Sequence, residues 1–135
     1  MNDDDLLHLK RCVELAAGAA DLGDQPFGSV LVAGDGTVLA ERRNQTVTTG
    51  DLTAHPELAL AGWASLHLDA DQRGGATMYT SGEHCAMCAA AHVRVGIGRL
   101  VYVLSAPMIA ELTEPDVTIN LRVADIAAVS NFDVT

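Results

Sequence analysis

Two stretches decide how this chain folds: Ser81-Gly82-Glu83-His84-Cys85-Ala86-Met87-Cys88 and, upstream, Thr53-Ala54-His55-Pro56-Glu57. The first follows a strand-like run, Ala76-Thr77-Met78-Tyr79-Thr80, and carries two cysteines at Cys-x-x-Cys spacing. A helix is expected to open at the cysteine pair and run to about Val95, with Ala89, His92 and Val93 inward and Gly96 and Gly98 stopping it. Leu100-Val101-Tyr102-Val103-Leu104 then reads as a strand, so strand, helix and strand form a right-handed parallel crossover. The second stretch opens another helix. Pro56 suits a first turn because its missing N–H is not needed there, and Thr53 can cap it. Leu58, Ala61 and Trp63 carry this helix to about Leu68, and a polar loop over Asp69 to Gly75 leads to the next strand.

Upstream, Asp3 to Asp5 can cap a first helix, along which Leu6, Leu9, Val13, Ala16 and Ala20 recur at helical spacing. Cys12 lies within it with no ligand partner nearby and reads as a small core residue, and His8 as a surface residue. Gly23 and Pro26 end the helix. Ser29 to Ala33 and Thr37 to Glu41 flank the turn Gly34-Asp35-Gly36 as a hairpin, followed by a polar loop that begins at Asn44. Beyond Pro107 the pattern weakens. Val117 to Val123 alternates like one more strand, and Phe132 to Thr135 also reads as strand, with a further helix expected to complete such a domain.

With 135 residues, 49% of them hydrophobic and 4% aromatic, the chain is expected to form a single domain over 1–135 with a core of Ala, Val and Leu. The net charge of −10 and the scatter of its eight Lys and Arg argue against a nucleic-acid partner. No apolar run approaches the roughly 20 residues of a membrane span, and the Asp-rich start differs from the basic start of a signal peptide. Three cysteines without an export signal point to the cytoplasm, where a cysteine pair more often binds metal or does redox chemistry than forms a structural bridge.

Cysteines at i and i+3 in a first helical turn point to one side, near the positive end of the helix dipole, where thiolates are favoured. Such a pair serves zinc or a thiol redox reaction. His55, opening another helix 30 residues upstream, gives a His-Cys-Cys set, and three protein ligands leave a fourth tetrahedral position for water. Glu57 then stands beside the metal as a proton carrier, although alone it would read as a carboxylate complementing a helix dipole. A closed structural site with His84 or His92 as fourth ligand is the bland alternative, and His92 reads more simply as core and His67 as surface.

The set His55-x-Glu57 with Cys85-x-x-Cys88 resembles the cytidine deaminase-like superfamily of zinc-dependent deaminases. The likeness runs from about Gln25 to Leu104. Pro26-Phe27-Gly28, Asn44, Thr53-Ala54-His55-x-Glu57, Tyr79-Thr80-Ser81-x-Glu83-x-Cys85-x-Met87-Cys88 and Gly98-Arg99-Leu100-Val101-Tyr102 are most similar to the guanine deaminase and tRNA adenosine deaminase branch. The resemblance implies a three-layer α/β/α fold with a mixed central sheet, Zn2+ on His55, Cys85 and Cys88, and a homodimer. It implies hydrolytic deamination of a free nucleobase, nucleoside or related amino-heterocycle, in which zinc-bound hydroxide attacks the amine-bearing carbon and Glu57 shuttles protons. Asn44 would hydrogen-bond the base, Phe27 would stack on it, and the Ala54 backbone and His84 would line the pocket. A guanine deaminase-like substrate is favoured, with a cytosine or cytidine type, or a silent zinc-binding interaction domain, as alternatives. The chain departs from the family pattern at His84, where a Pro is usual, and at Pro56, where an Ala is usual. It also lacks an acid between Ser105 and Ile109, where guanine deaminases carry substrate contacts.

Overall fold

The computed structural model describes residues 1–112 and 119–135. Helix α1 (Asp3–Asp21) precedes strands β1 (Gly28–Val32) and β2 (Val38–Arg43), a short helix α2 (Thr46–Thr49) and helix α3 (Pro56–His67). A short helix α4 (Ala70–Gly75), strand β3 (Thr77–Gly82), helix α5 (Ala86–Val95) and strand β4 (Arg99–Leu104) follow, then helices α6 (Ala106–Leu112) and α7 (Val123–Ala128).

The sheet order is β2-β1-β3-β4. β1 pairs antiparallel with both β2 and β3, and β3 pairs parallel with β4, so the sheet is mixed. α3 links β2 to β3 with β1 between them, and α5 makes the expected crossover from β3 to β4. Side-chain alternation splits the core into two layers. Val30, Val32 and Tyr79 meet Leu9 and Cys12 of α1 on one face, and Leu31 and Met78 meet Leu60, Ala61 and Ala64 of α3 on the other. The fold is therefore the expected α/β/α arrangement, with α3 and α5 side by side on one face.

Several local expectations are corrected. The buried side of α1 is Asp5, Leu9, Cys12, Ala16 and Ala19, whereas Leu6 and Val13 are about half exposed. Asp5 is the reason: its carboxylate accepts from Arg99 Nη2 at 2.8 Å and Nη1 at 2.9 Å and from the Tyr79 hydroxyl at 2.6 Å, and this turns the helix toward the sheet. Asn2 is the N-cap of α1, and Asp5 of the Asp run closes the capping box by accepting the Asn2 N–H. His8 is half-buried against the Tyr79 ring. The polar stretch before β3 folds as α4 because Asp69 and Gln72 form a capping box. Of the strand expected over Val117 to Val123, residues 117–118 lie outside the described residues. Residues 119–122 form no strand, and Val123 begins α7, where Asp125 accepts the Arg122 N–H. Phe132 to Thr135, also expected as strand, form none, although the Thr135 N–H donates to the Gly98 carbonyl and its carbonyl accepts from the Leu100 N–H. Among the described residues no helix is long and apolar enough to cross a membrane.

Candidate metal centre and its pocket

His55 is the N-cap of α3 and Cys85 the N-cap of α5; both have extended backbones and neither makes a side-chain capping bond. The expected cap, Thr53, instead donates its hydroxyl to Asp51. Because α3 and α5 pack together, their two starts converge. His55 Nδ1 lies 3.7 Å from Cys85 Sγ and 3.5 Å from Cys88 Sγ, and the three ligand atoms all lie within 4.8 Å of one another. Tetrahedral zinc with ordinary Zn–S and Zn–N bonds separates such atoms by roughly 3.5–3.8 Å, so the two nitrogen–sulfur distances and the soft donor set both fit this ion. Among the described residues this is the cluster of His, Cys, Asp and Glu able to hold a metal, and neither His84 nor His92 belongs to it.

The electrostatics suit a cation. The Cys85 thiol drops to about 4 because Cys88 donates to it and the His55 ring stands beside it. That same bond, with burial, pushes Cys88 up, and the bond to Cys85 raises His55. Glu57, 5% exposed, is pushed up to about 7 by burial, against the downward pull of Cys88 and His55. A carboxyl so placed can take up and return a proton near neutral pH. Behind it, the Ser29 hydroxyl is 3.4 Å from Glu57 Oε1 and 2.8 Å from Thr80 Oγ1.

A cavity of about 210 Å³ opens beside these groups. Phe27, Asn44, His55, Glu57, His84 and Cys85 line it, with Ile109, Ile119 and Leu121 contributed from the C-terminal part. Asn44 is 1% exposed; its N–H donates to the Phe27 carbonyl and its Oδ1 accepts from the Thr46 N–H and hydroxyl, which leaves the amide Nδ2 as its remaining donor. Gly82 lets Phe27 and Ile109 close over the floor, since a Cβ there would sit 3.0 Å from Phe27 Cε1 and 2.8 Å from Ile109 Cδ1. Ala54 is not among the lining residues. Its carbonyl accepts from the Gln45 N–H and its own N–H donates to Asp51, so both backbone groups serve the loop.

The sequence does not reveal the supporting roles of Asp24 and Glu83, or the contact between His84 and His92. Asp24 accepts from the Val47 and Thr48 N–H groups and the Thr48 hydroxyl, fixing the loop after Asn44. Glu83 accepts from the Ala106 N–H and from two nitrogens of Arg122, tying α6 and α7 to the end of β3. Burial raises the Glu83 carboxyl, but these partners outweigh it and hold it below its ordinary value. His84 and His92 are both buried and bonded to each other, Nε2 to Nδ1 at 3.0 Å. Burial lowers both, His92 to about 4, so both rings are neutral at pH 7. Spacing alone gives no sign of these pairs, since the partners are brought together by the fold.

Residues 2–104 match the sequence profile of the cytidine and deoxycytidylate deaminase zinc-binding region. A probable cytosine deaminase of Schizosaccharomyces pombe is 32% identical over 128 residues, covering 90% of this chain and 76% of that protein. A tRNA-specific adenosine deaminase of Agrobacterium fabrum is 40% identical over 87 residues, or 64% of this chain, which spans just over half (57%) of that relative. The X-ray structure of guanine deaminase from Bacillus subtilis superposes with a TM-score of 0.74 at 35% identity, covering 86% of this chain and 73% of that one. With the profile spanning most of the chain, the same fold and a donor cluster that suits zinc, this chain belongs to the family of zinc-binding deaminases that share the cytidine and deoxycytidylate deaminase region.

Proposed function

We propose that this chain hydrolytically deaminates a free nucleobase or a close amino-heterocycle, with zinc held by His55, Cys85 and Cys88 and Glu57 as the proton carrier. The observation that carries this reading is the buried Glu57 carboxyl in the wall of a cavity shared with His55 and Cys85, beside the His55, Cys85 and Cys88 donor set. Bound zinc would supply Lewis acidity, lowering the pKa of water at the site. Glu57 takes a proton from the attacking water and passes it to the ring nitrogen beside the amine-bearing carbon; it then takes the second proton from the added hydroxyl and gives it to the departing amine. One water is consumed, the C–N bond breaks, and ammonia leaves a carbonyl on the ring. Asn44 donates through Nδ2 to an acceptor on the substrate, and Phe27 offers its ring to the heterocycle face.

The described residues lining the cavity include no Lys or Arg, so none of them neutralises a phosphate as a bound nucleotide would need. That favours a base over a nucleotide, and the net charge of −10 weighs against RNA. A guanine-like substrate is favoured by the likeness to the Bacillus subtilis enzyme and by Phe27 in the wall. Cytosine is the second reading, favoured by the Schizosaccharomyces pombe relative that matches nearly the whole chain. The test is ammonia release by zinc-loaded protein from guanine, adenine, cytosine, their nucleosides and several aminated heterocycles. Release from one or a few bases, abolished in Glu57→Gln, is expected. Release from none of them by protein with one zinc per chain, or undiminished release in the variant, overturns the proposal.

A further inference from the structure

The two buried histidines next to the metal cluster have no task in the chemistry above. His84 is 1% and His92 0% exposed, their ring centroids are 5.0 Å apart, and one ring donates to the other across the 3.0 Å Nε2–Nδ1 contact. Among the described residues neither outer nitrogen, His84 Nδ1 or His92 Nε2, meets a side-chain partner, and the Ile97 backbone stands beside the His92 ring. Two apolar side chains would fill the same space without burying polar ring nitrogens. Packing alone therefore does not account for the pair.

The position of the bond does. His84 immediately precedes Cys85, and Cys85 sits at the N-cap of α5 without a capping bond of its own. His92 is seven residues beyond Cys85, on the buried side of α5 that also carries Cys88 and Ala89. Cys88 lies within the helix, whereas Cys85 is the residue that joins it to the connector from β3, its carbonyl accepting from the Ala89 N–H. That connector is anchored on one side at Glu83, whose N–H donates to the Leu104 carbonyl and whose carboxylate holds Ala106 and Arg122. The His84–His92 bond anchors it on the other side, to the helix itself.

We propose that His84 and His92 form a positioning pair that fixes Cys85 relative to Cys88 and His55, so that the three ligand atoms are set for the metal before it binds. This rests on the zinc reading of the cluster. The pair acts on metal affinity through geometry, so its effect separates from its effect on stability.

The test is zinc affinity of the full chain, by chelator competition, beside the denaturation midpoint of the zinc-free protein. His84→Leu and His92→Leu remove the bond while keeping bulk. His84→Gln and His92→Asn keep a polar atom near the bonding nitrogen. The Leu variants should bind zinc about tenfold more weakly or worse, with the double variant no weaker than either single one because they lose the same contact. Their zinc-free midpoints should hold or rise, and the Gln and Asn variants should recover most of the affinity. If a Leu variant fails to fold, Phe at that position keeps a ring without nitrogens and faces the same outcomes. Wild-type affinity in the folded apolar variants overturns the proposal, as does affinity that falls only in step with stability. A wild-type chain that binds no zinc overturns the cluster reading itself and the proposal with it, before any variant is compared.

Discussion

Asp5→Ala should be among the most damaging single changes outside the metal cluster. Asp5 is 1% exposed, and its carboxylate is the joint between α1 and the two strands that carry Tyr79 and Arg99. Removing one partner of a buried ion pair costs about 3–5 kcal/mol. Here the Arg99 side chain is 38% exposed and can regain water, which puts this part at the lower end, about 3 kcal/mol. The Tyr79 hydroxyl, on a residue 4% exposed, loses its acceptor for about 1 kcal/mol more. The sum, about 4 kcal/mol, should lower the melting temperature by about 10 °C or more at fixed zinc concentration. The neighbouring Asp4 is exposed, and Asp4→Ala should stay within about 0.5 kcal/mol of wild type. The effect is also pH-dependent. Arg99, Tyr79 and the Asn2 N–H hold the Asp5 carboxyl well below its ordinary value against the cost of burial. The stabilisation is therefore complete above the unfolded pKa of about 4 and is lost as pH falls from there through the lower folded value. The gap between wild type and Asp5→Ala should narrow only in that acid range. A loss under 1 kcal/mol at pH 7, or an equal loss in Asp4→Ala, would refute the reasoning.

Two further outcomes follow from the packing and the pocket. Gly28→Ala would put a Cβ 2.5 Å from Leu15 Cβ, 2.6 Å from the Cys12 carbonyl oxygen and 2.8 Å from the Ala16 nitrogen. The helix backbone cannot yield locally, so α1 must lift from β1 at a cost of about 3 kcal/mol; an unchanged urea midpoint would contradict this contact. Ser29→Ala removes the hydroxyl beside Glu57 Oε1, and on whichever base is turned over it should lower kcat about fivefold with KM unchanged, as expected when a group placing a general base is lost. Steady-state kinetics showing an unaltered kcat would leave Ser29 a packing residue.

The sequence made the metal cluster legible because its signal is local. A cysteine pair in a first helical turn, and a histidine before a helix-opening proline, fix chemistry and placement together. The two packing faces of the sheet were legible for the same reason, since strand alternation is a local rule. The register of α1 was not. Apolar spacing picks Leu6 and Val13, but the helix is turned by a charged residue whose partners, Tyr79 and Arg99, lie 74 and 94 residues away. The Ser29–Thr80 hydroxyl pair and the Glu83–Arg122 bridge are equally non-local, spanning 51 and 39 residues. Asp69 with Gln72, by contrast, is a readable capping signal, but the helix they start has only six residues and ends in Gly74-Gly75, so its composition reads as loop. The alternation near Val123 misled because Arg122 and Asp125 start a helix there, and periodicity over so few residues does not separate the two structures.

The most direct test of the central claim is the zinc content of purified wild type, His55→Ala and Glu57→Gln, measured per chain after removal of loosely bound metal. One zinc in wild type and in Glu57→Gln, with loss in His55→Ala, is the predicted result, because His55 completes the donor set with Cys85 and Cys88 while Glu57 stands beside it as proton carrier. Full zinc in His55→Ala would contradict the account by removing the imidazole from the site, and loss of zinc in Glu57→Gln would make that carboxylate a ligand and leave the proposed proton transfer without its carrier.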